Sequence, residues 1–591
     1  MIVAMKKVFL LLQQEHAQED LNNLAAQGVV HIEHLNPPAG LELNEINEQL
    51  NVIQQALLIL SVYAQGKDQN SALQKTTNPM INAQHIIDSQ KRLDQLKEYS
   101  TTLNILIDQW LPWGDFDPQQ IKQLNKNNIY VKLYQIPKGQ LRNLPNNIVV
   151  KKIISEGALE NCVIFSQGNI SLPFSEVELP KVSLAGMQQR LAEDAKTMLR
   201  LKEQLNQQLV FQDNLAMEKR ALVQKKDFYE ALKGMGQAGQ LVYLKGYIPV
   251  DAEKKLILEA KKNSWGIFTC LPQEDEEVPT LLRNPAWVSL IKPLLKLLEL
   301  IPGYRELDIS PLFIVFFSLF FGILIGDAGY GLVYFALNFW LHKKLGRKLK
   351  DKSVFFLFYI LSFCAIIWGV LTGTFFGQAW LLDLGIKPLV PALTNTTFIQ
   401  GLCFLIGAVH LSLAHGWKAI LKAPALEALS ELGWICVIWA VFFLAKNLIL
   451  SEKFPSFGNP LIILGLILVL FFTNPQKNIF KTIGSGLGTI ALSLVNNFTD
   501  VVSYIRLFAV GLATVAIADA FNAMAAGIIK KGDFLTIIAA ALVVVLGHAL
   551  NIILGPMSVL VHGVRLNVLE FCGHAGVTWN GFAYKPFGRK E

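Results

Sequence analysis

The distribution of hydrophobic residues divides the chain into two unlike halves. Roughly the first 300 residues mix apolar side chains with Gln, Asn, Lys and Glu, whereas the remainder contains one apolar run after another. These runs match membrane-spanning helices in length, because about 20 apolar residues cross the hydrocarbon core of a bilayer. We therefore predict a cytoplasmic half, residues 1–300, followed by a membrane half, residues 301–591.

The cytoplasmic half shows both strand and helix periodicity. A strand at Val8–Leu12, a helix ending before Gly28 and a second strand ending at Ile32 open the chain. Apolar residues three and four positions apart then predict long helices over 41–109, interrupted near Pro79, and over 182–232. Their narrow apolar stripes favour an antiparallel coiled-coil hairpin. We expect it to join two α/β lobes, formed by residues 1–40 plus 237–300 and by residues 110–180.

The membrane half is predicted to form an eight-helix transmembrane bundle. The predicted spans are 311–326, 328–342, 353–376, 398–420, 432–450, 459–473, 484–526 and 534–571. The last two spans are about 40 residues long, or roughly 60 Å, which is twice the hydrocarbon thickness. We therefore expect two long, tilted C-terminal helices.

Charge sets the predicted topology. The densest basic loop, 342–352, belongs on the cytoplasmic side, whereas the loop 377–397 carries a single lysine and belongs outside. Both chain termini are then cytoplasmic in a multi-pass protein of the cell membrane. Glycines in the turn 326–331 allow a tight connection between the first two spans, and Asp327 is expected to cap a helix there.

Composition and motifs exclude several classes of function. Charged residues are 17% of the chain, and much of the net charge of +7 lies beside the spans, so topology explains it better than nucleic acid. The six cysteines form no C-x-x-C pair that would suggest zinc or redox chemistry. The sequence also lacks the phosphate-binding motif G-x-x-x-x-G-K-[ST], the dinucleotide motif G-x-G-x-x-G and the metalloprotease motif H-E-x-x-H. We expect no cofactor, and a docking arm rather than an enzyme in residues 1–300.

One arginine stands inside an apolar run. Arg506 lies between Asp500 and Ala513, and a guanidinium near the bilayer centre costs roughly 2.5 to 17 kcal/mol. The same helical face carries a stripe of small residues, which are Ala509, Ala513, Ala516 and Ala520. A static helix contact would also use small residues, but a charge followed by methyl groups favours a surface that another body passes closely.

The final span carries one continuous polar face. Its members recur at offsets of three or four and are His548, Asn551, Gly555, Ser558, His562 and Arg565. Polar side chains within a bilayer face a bundle interior or a wet cavity. Hydrogen bonding between helices is one explanation, and an ion path ending at two arginines is the interpretation we favour.

These residues carry a resemblance to a known family. Ser503-Tyr-Ile-Arg506-Leu-Phe-Ala509 and His562-Gly-Val-Arg565-Leu566 resemble the last two helices of the membrane stator subunit of V/A-type rotary ATPases, called subunit a in eukaryotes and subunit I in bacteria and archaea. The resemblance extends over essentially the whole chain, to the closing Tyr584-Lys-Pro-Phe587. It is greatest with the bacterial and archaeal branch.

The resemblance implies a mechanism for the membrane half. In the family a rotating proteolipid ring carries carboxylates past Arg506, with Arg565 nearby, and the arginine separates two aqueous half-channels. The other residues implied in ion translocation are Ser503, Tyr504, His562, Ser558, Asn551, His548, Asn496, Asn497, Asp500 and Glu570. Half-channel glutamates of eukaryotic members correspond to Leu492 and Gly555 here, so the outer half-channel differs. Asp500 lies six residues before Arg506, on another side of the helix, and is not expected to pair with it.

The resemblance also implies partners. They are the proteolipid ring, peripheral stalk subunits docked by the two lobes, the central-stalk and ATPase subunits of the complex, and the lipid bilayer. This chain would be the non-catalytic stator of the machine. The sequence leaves open both H⁺ versus Na⁺ and synthesis versus hydrolysis, although the two histidines of the polar face favour protons.

Two other functions compete with this one. A self-contained secondary transporter or channel with a coiled-coil regulatory domain would be expected to show internal repeats and broken helices. We find no repeat within the membrane half, and the two final helices read as unbroken. A membrane-anchored scaffold explains the cytoplasmic half but not Arg506.

Overall fold

The fold is described from a computed structural model of the chain. It covers residues 1–64, 78–138, 140–145, 147–156, 158–347, 349, 351–377, 388–473, 490, 493–529 and 533–588. Contacts divide the chain into two compact units. Unit 1 comprises Met1–Phe9, Val29–His31 and Gly246–Pro586, and unit 2 comprises Leu10–Gly28, Ile32–Lys245 and Phe587–Glu591. These units do not test the predicted division into a cytoplasmic half and a membrane half at residue 300, which stays a prediction.

The strands lie in the first half of the chain. Within the described residues they are β1 (Met5–Gln13), β2 (His31–Glu33), β3 (Tyr130–Pro137), β4 (Val149–Glu156), β5 (Leu159–Ser166), β6 (Ser175–Val177), β7 (Gly236–Ala238), β8 (Leu241–Pro249) and β9 (Gly266–Cys270). They form two sheets. One has the order β2-β8-β1-β9 with β7 added beside β8, and the other has the order β4-β5-β3-β6.

Helices make up most of the remainder. In the first half they are α1 (Ala17–Gln27), α2 (Leu41–Tyr63), α3 (Pro79–Trp110), α4 (Pro118–Lys126), α5 (Leu184–Gln207), α6 (Gln212–Lys233), α7 (Glu253–Lys262), α8 (Ala286–Ser289) and α9 (Lys292–Leu297). In the second half they are α10 (Ser310–Ile325), α11 (Ala328–Leu345), α12 (Ser353–Thr372), α13 (Thr396–Lys422), α14 (Ala428–Leu450), α15 (Gly458–Phe472), α16 (Ser493–Ile529) and α17 (Phe534–Ala575).

The opening strand, helix and strand confirm the sequence prediction. Gly28 ends α1 in the left-handed conformation, with φ of 61°, where the lack of a Cβ removes the steric penalty. The predicted break at Pro79 is also confirmed, because α3 begins at that residue. Proline suits the first position of a helix, where its missing N–H has no helical acceptor.

The helical part of unit 2 is built from two packed pairs. Helix α2 packs against α6, and α3 packs against α5. Their shared core contains Ile53 and Leu60 of α2, Ile86 of α3, and Leu205 and Leu215 of α5 and α6. The predicted helix over 182–232 is two helices in succession, because a tight turn of helix at Gln208–Phe211 separates α5 from α6.

The four-stranded sheet of unit 2 is antiparallel throughout. Strand β3 pairs with β5 in the register Leu133↔Val163, and β4 pairs with the other edge of β5. Trp110, the last residue of α3, and Trp113 in the tight turn that follows it belong to a core that includes Leu133. This sheet and α4 occupy the region predicted as the 110–180 lobe.

Unit 1 contains the apolar helices. Five of the described helices, α12, α13, α14, α16 and α17, are long and apolar enough to cross a membrane, and α10 and α15 are shorter apolar helices. The start of the predicted span 484–526 lies outside the described residues. Part of the predicted loop 377–397 also lies outside them. One large core joins these helices, centred on buried aromatic residues such as Phe313, Phe320 and Phe404.

Asp327 is a helix cap, as predicted. It is fully buried, and its Oδ1 accepts a hydrogen bond from the backbone N–H of Tyr330 at 3.1 Å. Its Oδ2 accepts a second bond from the N–H of Gly377 at 3.0 Å. The carboxylate therefore begins α11 and ties it to the segment that follows α12.

Candidate functional site

The site lies on α16 and α17, whose close approach depends on glycine. A Cβ on Gly547 would lie 2.2 Å from Cγ of Phe521, so only glycine lets this ring pack onto α17. A Cβ on Gly511 would lie 2.5 Å from the carbonyl oxygen of Ile323, so α16 also touches α10 closely. These contacts hold the two final helices firmly in unit 1.

A carboxylate lies between the two predicted arginines. Oε1 of Glu570 is 3.4 Å from Nη1 of Arg506 and 3.4 Å from Nε of Arg565. The Glu570 side chain is 5% exposed, against 21% for Arg506 and 55% for Arg565. Oε2 of Glu570 is buried and accepts no hydrogen bond from the described residues. The three side chains carry two positive charges and one negative charge, which leaves one excess positive charge beside an exposed helix face.

Backbone irregularity accompanies this charged cluster. Helix α17 widens into π-helical turns at Val559–Gly563 and Leu566–Phe571, which flank Arg565. Helix α16 has a turn at Tyr504 rather than continuous helix. Both helices nevertheless run as single helices, Ser493–Ile529 and Phe534–Ala575, so the sequence interpretation omitted local irregularities rather than breaks. Wide turns of this kind occur frequently at functional sites, because they reorient side chains within a helix.

Proline adds a further irregularity, which a neighbouring helix compensates. Pro556 lies inside α17 and has no N–H to donate to the carbonyl oxygen of Ile552. The hydroxyl of Tyr334 on α11 donates to that oxygen at 2.9 Å instead. The freed carbonyl is thus satisfied by protein rather than by water, as the bilayer interior requires.

The first part of the polar face of α17 is hydrogen-bonded to neighbouring helices. Nδ1 of His548 lies 2.7 Å from the hydroxyl of Tyr330, and Nε2 lies 3.1 Å from Oδ1 of Asn522. Asn551 is buried and donates to the carbonyl of Thr514 at 2.7 Å and to the Tyr330 hydroxyl at 3.1 Å. His548 and Asn551 therefore form hydrogen bonds between helices, which is the alternative to an ion path at this part of the polar face.

The second part of that face is different. Ser558 and His562 are partly exposed, and neither forms a side-chain hydrogen bond with another residue in the described parts of the chain. His562 lies within electrostatic reach of Arg506 and Arg565. The polar face is therefore not uniform along its length.

The glycine of this face has a packing role. A Cβ on Gly555 would lie 2.8 Å from Cδ1 of Ile325 and 2.9 Å from the Tyr334 hydroxyl. Any side chain at this position would require the ends of the Ile325 and Tyr334 side chains to move, so glycine allows both to pack closely against α17. The other departure, Leu492, lies outside the described residues.

The beginning of α16 carries the remaining candidate residues. Asn496 is exposed, whereas Asn497 is buried and its Oδ1 has no partner among the described residues. Ser503 donates to the carbonyl oxygen of Asp500 at 2.7 Å. The fully buried Tyr504 lies with its hydroxyl 2.8 Å from Nδ1 of His410 on α13. Oδ2 of Asp500 lies 3.1 Å from Nε2 of His574, and no ion pair joins Asp500 to Arg506 among the described side chains.

The alanine stripe of α16 is exposed. Its members, Ala509, Ala513, Ala516 and Ala520, lie on one side of the helix, and the opposite side is buried through Leu507, Gly511, Thr514 and Ala518. Arg506 stands at the start of the exposed stripe. The helix thus presents methyl groups and one cation on the same face.

Sequence reasoning missed three buried polar residues, His410, His415 and Glu431, and the partly buried His574. Each lies in an apolar helix of unit 1 or at its end. An ionisable residue inside a membrane span is itself a functional signal, and Glu431 carries it. No group of three or more His, Cys, Asp and Glu residues suited to a metal ion occurs in the described part of the chain.

Together, the fold and the site define a multi-pass membrane protein with an arginine-containing cluster on its last two helices. Comparison with known proteins gives its family. The chain is 31% identical to the V-type ATP synthase subunit I of Borreliella burgdorferi, over all of both chains. It is 29% identical to the V-type ATP synthase subunit I 1 of Treponema pallidum, over 99% of this chain and 100% of that one. No family model matches the sequence.

More distant relatives agree. The A-type ATP synthase subunit I of Methanocaldococcus jannaschii is 27% identical over 58% of this chain and 54% of its own. The crystal structure of the cytoplasmic N-terminal domain of subunit I, homolog of subunit a, of V-ATPase aligns with 45% of this chain and 100% of its own at a TM-score of 0.22 and 15% identity, a likeness too weak to inform the fold. The chain belongs to the V-type and A-type ATP synthase subunit I family. This membership supports the stator interpretation over a self-contained transporter.

Proposed function

We propose that this chain is the membrane stator subunit through which ions cross in a V/A-type rotary ATPase, and that it catalyses no reaction itself. The observation that carries the proposal is Arg506, which stands at the head of an exposed alanine face and shares the Glu570 carboxylate with Arg565. A proteolipid ring would turn against this face. Small side chains allow close passage, and the fixed charge of arginine stabilises each ring carboxylate while it is ionised.

The arginine also blocks leakage between the two half-channels. Each elementary charge that crosses the membrane corresponds to about 2.3 kcal/mol per 100 mV. A continuous path past the arginine would dissipate that energy without rotation. The net positive charge of the Arg506–Glu570–Arg565 cluster repels cations, which supports its role as the barrier.

The remaining residues would serve the stator in two further ways. Ser558, His562, Asn496 and Asn497 are candidates for the walls of the half-channels. The helices of unit 2 would form the predicted coiled-coil spacer, with the lobes at 110–180 and at 1–40 plus 237–300 docking peripheral stalks. Eight spans would then leave both termini in the cytoplasm.

Purification from native membranes tests this function. We expect the chain to copurify with a ring of a small proteolipid and with ATPase subunits, and to lack ion transport when isolated. Deleting residues 110–180 should leave the membrane half inserted but uncouple ATP hydrolysis from transport. A lone active chain, or tight ATP binding by residues 1–300, would contradict the proposal.

A further inference from the structure

A chain of four titratable side chains crosses the interior of unit 1 close to the arginine site. Nδ1 of His415 lies 2.7 Å from Oε2 of Glu431, and Nε2 of the same ring lies 2.9 Å from Nδ1 of His574. Nε2 of His574 in turn lies 3.1 Å from Oδ2 of Asp500. The chain thus consists of two imidazoles in series with a carboxylate at each end. It joins α13, α14, α16 and the end of α17.

The number of hydrogens in this chain is fixed by its geometry. Each of the three contacts needs one hydrogen between its two heavy atoms. A neutral imidazole carries one N–H, and an ionised carboxylate carries none, so two neutral histidines supply only two hydrogens. The third contact requires one additional proton on the chain. The contacts themselves are observed, whereas the position of that proton is inferred from them.

The additional proton fills all three contacts when it lies on either carboxylate or on either imidazole, and two of these four arrangements place it at an end of the chain. In one, Glu431 is protonated and donates to Nδ1 of His415, and both imidazoles carry their hydrogen on Nε2. In the other, Asp500 is protonated and donates to Nε2 of His574, and both imidazoles carry their hydrogen on Nδ1. Three short transfers convert one arrangement into the other, since each imidazole accepts at one nitrogen and releases from the other. The net change is one proton moved from Glu431 to Asp500.

The surroundings of the chain suit proton transfer. The side chains of His415, Glu431 and His574 are 7%, 5% and 9% exposed, so the middle of the chain is shielded, whereas Asp500 is 27% exposed. Lys418 and Lys422 lie 3.5 and 2.8 Å from Oε1 of Glu431 and are partly exposed, so this end also approaches solvent. The two ammonium groups favour ionised Glu431, so a proton occupies this carboxylate only transiently during transfer. Lys418 further donates to the carbonyl oxygen of His574 at 3.2 Å.

The position of the Asp500 end connects the chain to the arginine site. Asp500 lies six residues before Arg506 on α16, or about 9 Å along a helix axis. We propose that Glu431, His415, His574 and Asp500 form a proton relay between solvent near Lys422 and the partly exposed Asp500 on α16, less than two helical turns before Arg506. This relay rests on the proposed stator function, and it adds Glu431, His415 and His574 to the residues that serve ion movement.

Two variants separate a relay from a cluster that only holds helices together. His415→Gln interrupts the relay. Imidazole accepts a proton at one ring nitrogen and releases a proton from the other, whereas the side-chain amide of glutamine does neither at neutral pH. Asp500→Asn keeps all three contacts filled, since the amide N–H donates to His574 and both histidines then donate toward Glu431. It removes only the additional proton. A structural role predicts little effect of Asp500→Asn, and a relay predicts a large one.

The measurement is ATP-driven proton uptake by the complete complex in proteoliposomes without sodium, together with subunit content and the thermal midpoint of the complex. Both variants should assemble, and uptake should fall by about tenfold or more, the scale of a lost acid–base group. His342→Gln is the matched control, because His342 stacks on Phe355 of α12 and lies outside the relay. It should pump normally.

Each outcome of this experiment decides something. Wild-type uptake in Asp500→Asn would overturn the relay whatever His415→Gln does, and so would loss of assembly in Asp500→Asn, because the cluster would then be structural. A wild-type complex that moves no protons would overturn it as well. Arg506→Lys is measured beside them. If it pumps normally, the proposed stator function fails; if it alone fails to pump, the stator function stands and only the relay is wrong.

Discussion

Two clusters of polar side chains on α17 lie inside an apolar bundle, and they differ in the kind of partner that each one has. Around His548 and Asn551 the partners are neutral groups, Tyr330, Asn522 and a backbone carbonyl. Around Arg565 and Glu570 the partners are charged, and one carboxylate oxygen stays without a hydrogen bond. The first cluster is closed, and the second is incomplete in the isolated chain.

The difference indicates which of the two clusters is able to interact with a group from another subunit. A closed network uses its donors and acceptors to hold helices in place, and breaking it leaves buried groups without partners. An incomplete charged cluster retains the capacity to interact with a group that arrives from outside. The charged end of α17 is therefore the better candidate for contact with a moving carboxylate, and the neutral end is the better candidate for a fixed support.

Arg506→Lys should have the largest effect. The variant keeps a positive charge but loses the planar fork, and a buried lysine is able to release its proton whereas arginine is not. We expect assembly to be retained and coupled ion transport to fall by about a hundredfold or more, measured as ATP-driven uptake in proteoliposomes. Arg347→Lys, in an exposed turn after α11, is the matched control and should be silent. Normal pumping by the Arg506 variant would refute the role given to this residue.

Glu570→Gln should come next. The substitution keeps the size of the side chain but leaves Arg506 and Arg565 without the carboxylate that lies 3.4 Å from each. Removing one partner of a buried ion pair costs about 3 to 5 kcal/mol, and less here because both arginines are partly exposed. We expect a lower thermal midpoint of the complex and about tenfold slower transport. An unchanged midpoint together with unchanged transport would show that the cluster is not coupled as described.

Accessibility to thiol reagents sharpens the comparison along α17 itself. In a cysteine-free background, His562→Cys and Ser558→Cys should react with small water-soluble reagents, because thiolate forms only where water or positive charge stabilises it. Asn551→Cys should react several-fold more slowly, since that position is buried. Ile553→Cys, on the side of the helix away from the polar face, is the control for a position in contact with lipid. Equal rates at all four positions would remove the distinction between closed and incomplete clusters.

Much of this arrangement was predictable, and the exceptions have physical causes. Periodicity located the helices at Ala17–Gln27 and from Pro79, and the charge of Arg506 located the site, because both signals lie within a short stretch of sequence. The partners of Arg506 and Tyr504 could not be derived in the same way. Glu570 and His410 are separated from them by 64 and 94 residues, and only tertiary packing brings them together.

The widened turns of α17 were missed for a related reason. A π-helical turn changes the phase of the helix by a fraction of a turn, and a polar pattern at offsets of three and four does not reveal it. Pro556 was a local signal, yet its effect depends on Tyr334, which supplies the missing hydrogen bond from another helix. The sequence therefore predicted which helices carry the site, but not which side chains complete it.

Glu306 extends the comparison to a carboxylate whose partners are neutral, and here we expect the smallest effect. It accepts hydrogen bonds from the N–H of Gly303 at 2.7 Å, the N–H of Thr578 at 2.8 Å, the N–H of Trp579 at 3.3 Å and the Thr578 hydroxyl. Burial alone would raise the pKa of Glu306, but these bonds favour the ionised form and together hold its pKa below the ordinary value.

Because the pKa of Glu306 is lowered when the C-terminal segment is docked, ionised Glu306 stabilises docking above the ordinary glutamate pKa. That stabilisation is lost as the pH falls below the ordinary value and through the lowered one. We therefore expect hydrogen-exchange protection of the Thr578 and Trp579 amides, corrected for intrinsic exchange rates, to decrease modestly over this acidic range. Glu306→Gln should show weaker protection at neutral pH and little dependence on acid, because it cannot ionise. Protection that stays constant in the native protein, or falls equally in the variant, would mean that charge on Glu306 does not hold the segment.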